Sequence, residues 1–200
     1  MAGMKGLPLV DVLRLLKSEP AKWSCYVALA VLSGCRVSEL LALRRRDLID
    51  AAGNLRERVT FVKLKARSGV RSRKLFIPEI FRPYIIAHLN AEAERGYLEP
   101  EDFVFRGQLG RELSRFTVYN HFRTLLGAGF GTHWPRKTFA QEMFHYFLQQ
   151  NSADPLRALE LTRRALGHAR IDTTVRYLGI DETAIEEAQN EIFNHGMAEK

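Results

Sequence analysis

The sequence predicts an α+β fold: a mostly helical single domain with a small antiparallel β-sheet near its N-terminal third. Three observations carry this. Over most of the chain apolar residues recur at spacings of 3 and 4, as on one face of a helix. Two stretches, 57–65 (ERVTFVKLK) and 73–77 (RKLFI), alternate instead and hold β-branched or aromatic residues, as strands do. The link between them has Gly69 at its middle, which suits a hairpin loop. With 200 residues, no internal repeat and no Pro/Gly/Ser-rich linker, one compact domain over residues 1–200 is expected.

Taken in order, Leu9, Val10, Val12, Leu13, Leu15 and Leu16 predict a helix from Pro8 to Ser18. Tyr26, Val27, Leu29, Val31 and Leu32 predict a mostly buried helix over 20–32, broken by Ser33-Gly34. A new helix follows from about Cys35 to Arg45, with Val37, Leu40 and Leu41 on one face. Asp47 to Leu55 offers a third strand and its turn. Pro78 ends the second hairpin strand, and helices are expected over 79–95 and 115–126. Residues 135–150 show the strongest helical pattern, with Phe139, Met143, Phe147 and Ala140, Phe144, Leu148 repeating in register. Asp154-Pro155 reads as an N-cap followed by proline at the first helical position, and Gly167 as a C-cap. A short helix over 171–178 ends at Gly179, and a last one runs from Asp181 to about Asn194.

Composition narrows the class of function. Hydrophobic residues make up 46% and charged residues 26%, which excludes a disordered, collagen-like or fibrous chain. No apolar run approaches the roughly 20 residues that cross a bilayer, so no membrane partner is expected. The start, MAGMKGLPLV, lacks the apolar core of a secretory signal. Cys25 and Cys35 are too few for a disulfide scaffold and lack CxxC spacing, which favours a reducing, cytoplasmic setting. Thirty basic against 23 acidic residues give +7 and a pI near 9.6. That balance favours a polyanionic partner, of which nucleic acid is the commonest.

Chemistry concentrates in a few places. Lys63, Lys65, Arg67, Arg71, Arg73 and Lys74 fall within 12 residues that contain no acid. This is either a solvated surface hairpin or two strands whose cationic tip lies along duplex DNA and meets its phosphates. Arg44, Arg45 and Arg46 form a second cluster, which also suits the negative end of a helix dipole. In GTHWPRKTFAQEMF, His133 and Arg136 stand three apart where a helix begins, and Lys137 follows. A lone histidine beside a tryptophan is more often packed than functional. In ALGHARIDTTVRYLG, Gly167 ends one helix, His168 follows, and Tyr177 lies nine residues on in the next. Glu39, three residues after Arg36, is spaced to hold its guanidinium. The acids do not converge by spacing on a two-metal site, and HExxH and paired CxxC motifs are absent.

Taken together and in order, Arg36 in SGCRVSELLALRRRDL, a lysine in a basic hairpin, His133-x-x-Arg136, Leu166-Gly167-His168 and Tyr177 match one pattern. From about Pro8 to Leu178 the chain resembles the tyrosine recombinase (phage integrase) family. The resemblance implies a catalytic-domain fold that cuts and rejoins DNA through a 3′-phosphotyrosine, with no metal, ATP or other cofactor. It implies Tyr177 as nucleophile, with Arg36 and Arg136 on the phosphate. It implies His133 as general base and His168 as a hydrogen-bond donor to the phosphate, though the residues themselves leave that division open. A hairpin lysine would protonate the leaving 5′-oxygen. Lys65 is the choice, with Lys63 the alternative because alternation puts both on one strand face. Glu39 would act behind Arg36, while Lys63, Arg67, Arg71, Arg73, Lys74 and Lys137 would contact the DNA backbone.

Two features depart from the family pattern. Trp134-Pro135 stands where members often carry other residues, although proline is tolerated in a first turn. The N-terminal core-binding domain of most members is expected to be absent, leaving half a clamp and weak, salt-dependent DNA binding. Ile180, Ala184, Ile185, Ala188, Ile192 and Phe193 form a stripe on the last helix. The stripe packs either on its own domain or, by resemblance, on a neighbouring protomer. A homo-oligomer is therefore expected, a tetramer on double-stranded DNA, with a monomer open in isolation. The setting implied is the bacterial or phage cytoplasm. A DNA-relaxing activity like that of type IB topoisomerases, and a non-catalytic DNA-binding module of the same fold, remain the alternatives.

Overall fold

A computed structural model describes residues 6–63, 71–150 and 154–178. The described residues fall into two compact units, one ending at Phe139 and one starting at Ala140. The first holds α1 (Leu9–Ser18), α2 (Ala21–Ser33), α3 (Val37–Leu41), α4 (Arg45–Leu48), β1 (Arg58–Lys63), β2 (Arg71–Phe76), α5 (Arg82–Glu94) and α6 (Arg115–Leu126). Then come α7 (Trp134–Gln150), α8 (Pro155–Leu166) and α9 (Ile171–Leu178). The mostly helical build with one two-stranded antiparallel sheet is the predicted fold class.

The core of the first unit forms around α2. Its apolar residues face all round, so the helix must be enclosed, and α1 and α5 pack on it. Cys25, Val27, Ala28 and Leu29 are fully buried. An aromatic cluster joins distant segments: Tyr26 meets Phe105 edge-on at 5.4 Å, and Phe122 of α6 meets Trp134 at 5.5 Å. Trp134 is fully buried, so the start of α7 is fixed against α6. Burying such a ring stabilises by roughly 1.5–3 kcal/mol or more.

The hairpin is antiparallel as expected, with Phe61 opposite Arg73 and Lys63 opposite Arg71, so that β2 begins at Arg71, two residues before the expected strand. Val59, Phe61 and Ile77 are buried, while Ser72, Lys74 and Phe76 are exposed, the alternation that a half-buried sheet requires. Lys65, Arg67 and Gly69 lie outside the described residues, as does the helix expected from Asp181 to Asn194.

Two expectations are corrected. The helix expected from about Cys35 to Arg45 is confined to Val37–Leu41, and a separate helix, α4, starts at Arg45. The Leu43 carbonyl accepts the Val104 N–H (2.9 Å), and Arg44 forms an antiparallel bridge with Phe103. Pairing with a distant segment thus outweighs local helix propensity, and Asp47 Oδ2 caps the Arg44 N–H (2.7 Å) as α4 begins. The third strand over Asp47–Leu55 is one isolated bridge, Ile49 to Leu55. Asp50 Oδ1 accepts the Ala52 and Asn54 N–H groups at 2.9 and 2.8 Å, a side-chain turn that displaces the ladder.

Arg44, Arg45 and Arg46 act within the protein. Arg44 lies 3.5 Å over the Phe103 ring and donates to the Glu101 carbonyl (2.7 Å). Arg45 donates to the Leu89 carbonyl (3.4 Å), and Arg46 pairs with the Glu101 carboxylate. In the second unit Asp154 Oδ1 accepts the Leu156 and Arg157 N–H groups at 3.0 and 3.1 Å. Gly167 closes α8 at φ 65°. Among the described residues no helix is long and apolar enough to cross a membrane.

Candidate functional site

The site in the first unit is built on the turn between α2 and α3. Ser33 Oγ donates to the Leu29 carbonyl (2.6 Å) and accepts the Cys35 N–H (3.1 Å), which fixes the turn from both sides. Gly34 adopts φ 55°, a left-handed conformation that glycine enters without a Cβ penalty. The carbonyls of Ser33 and Gly34 each accept a guanidinium from far along the chain. Arg73 Nη2 of β2 donates to Ser33 (2.8 Å), and Arg136 Nη1 of α7 donates to Gly34. Arg36 follows two residues after Gly34.

Arg136 is only 4% exposed. A buried guanidinium is tolerated only when its donors are engaged, and the Gly34 carbonyl supplies one acceptor. Arg36 is more open, with 44% of its side chain exposed, and Glu39 is 5% exposed. Glu39 Oε1 accepts Arg36 Nη1 (3.2 Å) while Oε2 accepts the Arg36 N–H (3.1 Å), so one carboxylate grips both side chain and backbone. His133 immediately precedes α7, and its carbonyl accepts the Lys137 N–H (3.1 Å). Burial, then the charges of Arg136, Arg115 and Arg36, hold its pKa below the ordinary 6.5. Its imidazole is therefore neutral at neutral pH, in a field made by three cations.

Arg115 belongs to none of the motifs legible in the sequence. It is the exposed first residue of α6, placed by the Ser114 cap, whose Oγ accepts the Thr117 N–H (3.0 Å). Its place beside His133 depends on the α6 to α7 packing, which no local pattern announces. Cys35 also lies in this field, but burial pushes its thiol up to about 12, so it offers no nucleophile.

In the second unit, Gly167 turns the chain so that the His168 N–H donates to the Arg163 carbonyl (3.0 Å). Arg163 returns a bond from Nη1 to the His168 carbonyl and is held by Glu160 at 2.6 and 2.8 Å. His168 Nδ1 lies 3.0 Å from Thr174 Oγ1. The His168 and Tyr177 rings meet edge-to-face with centroids 5.8 Å apart. His168 is 7% exposed and Tyr177 half-buried.

Thus Arg36, Glu39, His133 and Arg136 are gathered in one unit, and His168 and Tyr177 in the other. Of the residues expected at the DNA backbone, Lys74 is exposed and Lys137 half-buried. Arg73 instead turns inward to Ser33. Lys63 and Arg71 pair across the ladder, and Lys65 and Arg67 lie outside the described residues. Among the described residues no three His, Cys, Asp or Glu side chains cluster as metal ligands would.

Two predictions arise here. A Cβ at Gly34 would lie inside the van der Waals envelope of the Phe139 ring, 2.7 Å from Cγ and 3.0 Å from Cε1. Gly34→Ala therefore combines left-handed backbone strain of about 1–2 kcal/mol with overpacking of about 1–3 kcal/mol. Urea unfolding is expected to show a loss of roughly 2–5 kcal/mol, part of it restored when Phe139→Leu is added. An unchanged midpoint would show that the contact is not tight.

The second concerns acid. His88, with Nε2 donating to the Val104 carbonyl (2.7 Å), is also held below its ordinary value, chiefly by burial. For His88 and His133 the unfolded chain binds protons more readily than the fold. Above about pH 6.5 both states are neutral and neither group contributes. As the pH falls below about 6.5 the unfolded state gains protons first, so stability is lost down to the lowered folded values. Urea midpoints at about pH 7.5 and 5.5 should differ in that direction; a higher midpoint in acid would contradict it.

The phage integrase family model matches residues 8–183. XerA recombinase is similar in structure at TM-score 0.66 and 19% identity, over 96% of this chain and 66% of that one. XerH recombinase, solved with a palindromic difH substrate as a post-cleavage complex, is similar at 0.63 and 21%, over 94% and 53%. The Tn1549 transposon integrase, solved with circular intermediate DNA, is similar at 0.59 and 18%, over 88% and 61%. The chain thus spans between about half and two thirds of the length of these solved chains, and at these identities the likeness is one of fold. No curated protein matches the sequence.

Proposed function

The chain belongs to the phage integrase family, the tyrosine recombinases, and from that premise we propose that it is a site-specific recombinase acting on double-stranded DNA. The observation that carries the reading is the gathering of Arg36, His133 and Arg136, a hundred residues apart in sequence, into one cationic site around a neutral imidazole.

The chemistry follows from the residue types. Tyr177 Oη attacks the phosphorus of one strand and the P–O5′ bond breaks, leaving a 3′-phosphotyrosine and a free 5′-hydroxyl. The phenol proton passes to His133, whose lowered pKa keeps its nitrogen available to accept it. The leaving oxygen takes a proton from a hairpin lysine, Lys65 or Lys63. The non-bridging oxygens gain charge in the pentacoordinate state, and the fixed forks of Arg36 and Arg136 hold it. Glu39 fixes the Arg36 fork, and His168 donates to the phosphate. Lys63, Arg67, Arg71, Lys74 and Lys137 meet neighbouring phosphates. The ester energy stays in the covalent link, so attack by a new 5′-hydroxyl rejoins the strand without a nucleotide cofactor. The assembly on DNA is a homotetramer, for which the apolar stripe from Ile180 to Phe193 offers a contact.

The test is a nicked suicide duplex, in which the released fragment diffuses away and traps the intermediate. A protein–DNA adduct stable in denaturant supports the reading, and its absence with intact DNA binding leaves a non-catalytic module. Strand exchange between two sites identifies a recombinase; relaxation of any supercoiled plasmid without exchange identifies a topoisomerase.

A further inference from the structure

Arg73 has no part in that phosphate chemistry. On the buried face of the hairpin it stands directly across the ladder from the apolar Phe61 and shares that face with Leu75 and Ile77. A guanidinium there is costly to bury, and burial indeed pushes its pKa down. A phosphate contact would sit better on the other face, where Ser72 and Lys74 are exposed. Instead Nη2 donates to the Ser33 carbonyl (2.8 Å), one residue before the carbonyl that receives Arg136. The turn carrying both carbonyls leads directly into Arg36. Glu39, which grips Arg36, lies in the field of Arg73 as well.

We infer that Arg73 is a positioning residue that clamps the lysine-bearing hairpin to the Ser33–Cys35 turn and so sets the mutual geometry of Arg36 and Arg136. This rests on the proposed recombinase reading and deepens it. Consecutive carbonyls on one turn serve two guanidiniums, so movement at Ser33 moves the acceptor of Arg136 too. The clamp also ties the strand that leaves the hairpin to the phosphate-binding arginines. Lysine retains the charge and one donor but not the fork, so Arg73→Lys should restore only part of the geometry.

The experiment uses the full chain, as wild type, Arg73→Gln and Arg73→Lys, with urea unfolding to verify that each is folded. Single-turnover cleavage of the suicide duplex is measured at saturating DNA, together with the salt dependence of binding. Arg73→Gln is expected to cleave about 10–100-fold more slowly, with Kd and salt slope unchanged and Arg73→Lys in between. A weaker Kd with the slope reduced by about 1, at an unchanged single-turnover rate, would make Arg73 a phosphate contact and overturn the inference. Wild-type rate and Kd in both variants would overturn it as well.

A second measurement does not depend on activity. NMR titration of the His133 imidazole reports its burial and the placement of Arg136, Arg115 and Arg36, which together lower its pKa. In Arg73→Gln the His133 midpoint should return toward its ordinary value, whereas Arg73→Lys should stay closer to wild type. If wild type forms no adduct, the recombinase reading fails, and the His133 titration alone decides the clamp: an unmoved midpoint overturns it.

Discussion

Replacing Tyr177 with phenylalanine is expected to remove the covalent adduct entirely while leaving fold and DNA affinity in place. The substitution deletes a single oxygen. The ring that meets His168 edge-to-face at 5.8 Å is retained, so stability should change by less than about 1 kcal/mol. An unperturbed phenol is only about 0.1% ionised at neutral pH, so attack must be coupled to proton removal. A neutral imidazole can do that, and burial together with the charges around His133 keeps it neutral. The two variants therefore fail differently. Tyr177→Phe has no nucleophile at any pH. His133→Gln retains one and should regain part of its rate as the pH rises and solvent hydroxide takes over removal of the phenol proton. Denaturing gels of the suicide reaction across pH separate the two, and an adduct that survives Tyr177→Phe refutes the nucleophile.

Much of the molecule could be read from the chain because its signals are local. The boundaries of α1, α2 and α6 follow apolar spacing, and those of α8 follow the Asp154 cap and the Gly167 stop. The antiparallel hairpin followed from strand alternation. What escaped was set by distant partners. Val104 and Phe103 draw Leu43 and Arg44 out of a helix that their own neighbours would have continued. Asp50 spends its carboxylate on a turn where a third strand was expected. The site divides along the same line. Arg36, His133 and Arg136 are legible through the ordered resemblance to the family, and Glu39 by its i,i+3 spacing. Arg115 enters only through the packing of Phe122 on Trp134. Arg73 reads as one more cation of a basic hairpin until the ladder register shows it on the side facing Ser33.

Arg136→Ala and Arg36→Ala should both slow cleavage by about 10²–10³-fold, since each removes a fixed donor from the developing charge. They should differ in everything else, because the fold holds the two guanidiniums differently. Arg36 is 44% exposed at its side chain and gripped by Glu39. Its loss leaves the buried Glu39 carboxylate with the backbone N–H of residue 36 and the field of Arg73, so the stability cost should be the smaller of the two. Arg136 is 4% exposed and donates to the Gly34 carbonyl. Removing it orphans a buried acceptor, at about 1–3 kcal/mol, and leaves a cavity. Arg136→Ala should therefore lose more urea stability than Arg36→Ala, and Arg136→Lys should recover stability ahead of rate, because an ammonium can satisfy a carbonyl but cannot fork across two oxygens. If Arg136→Lys recovered rate and stability in step, the guanidinium would be acting as a point charge and the bidentate role assigned to it would fall.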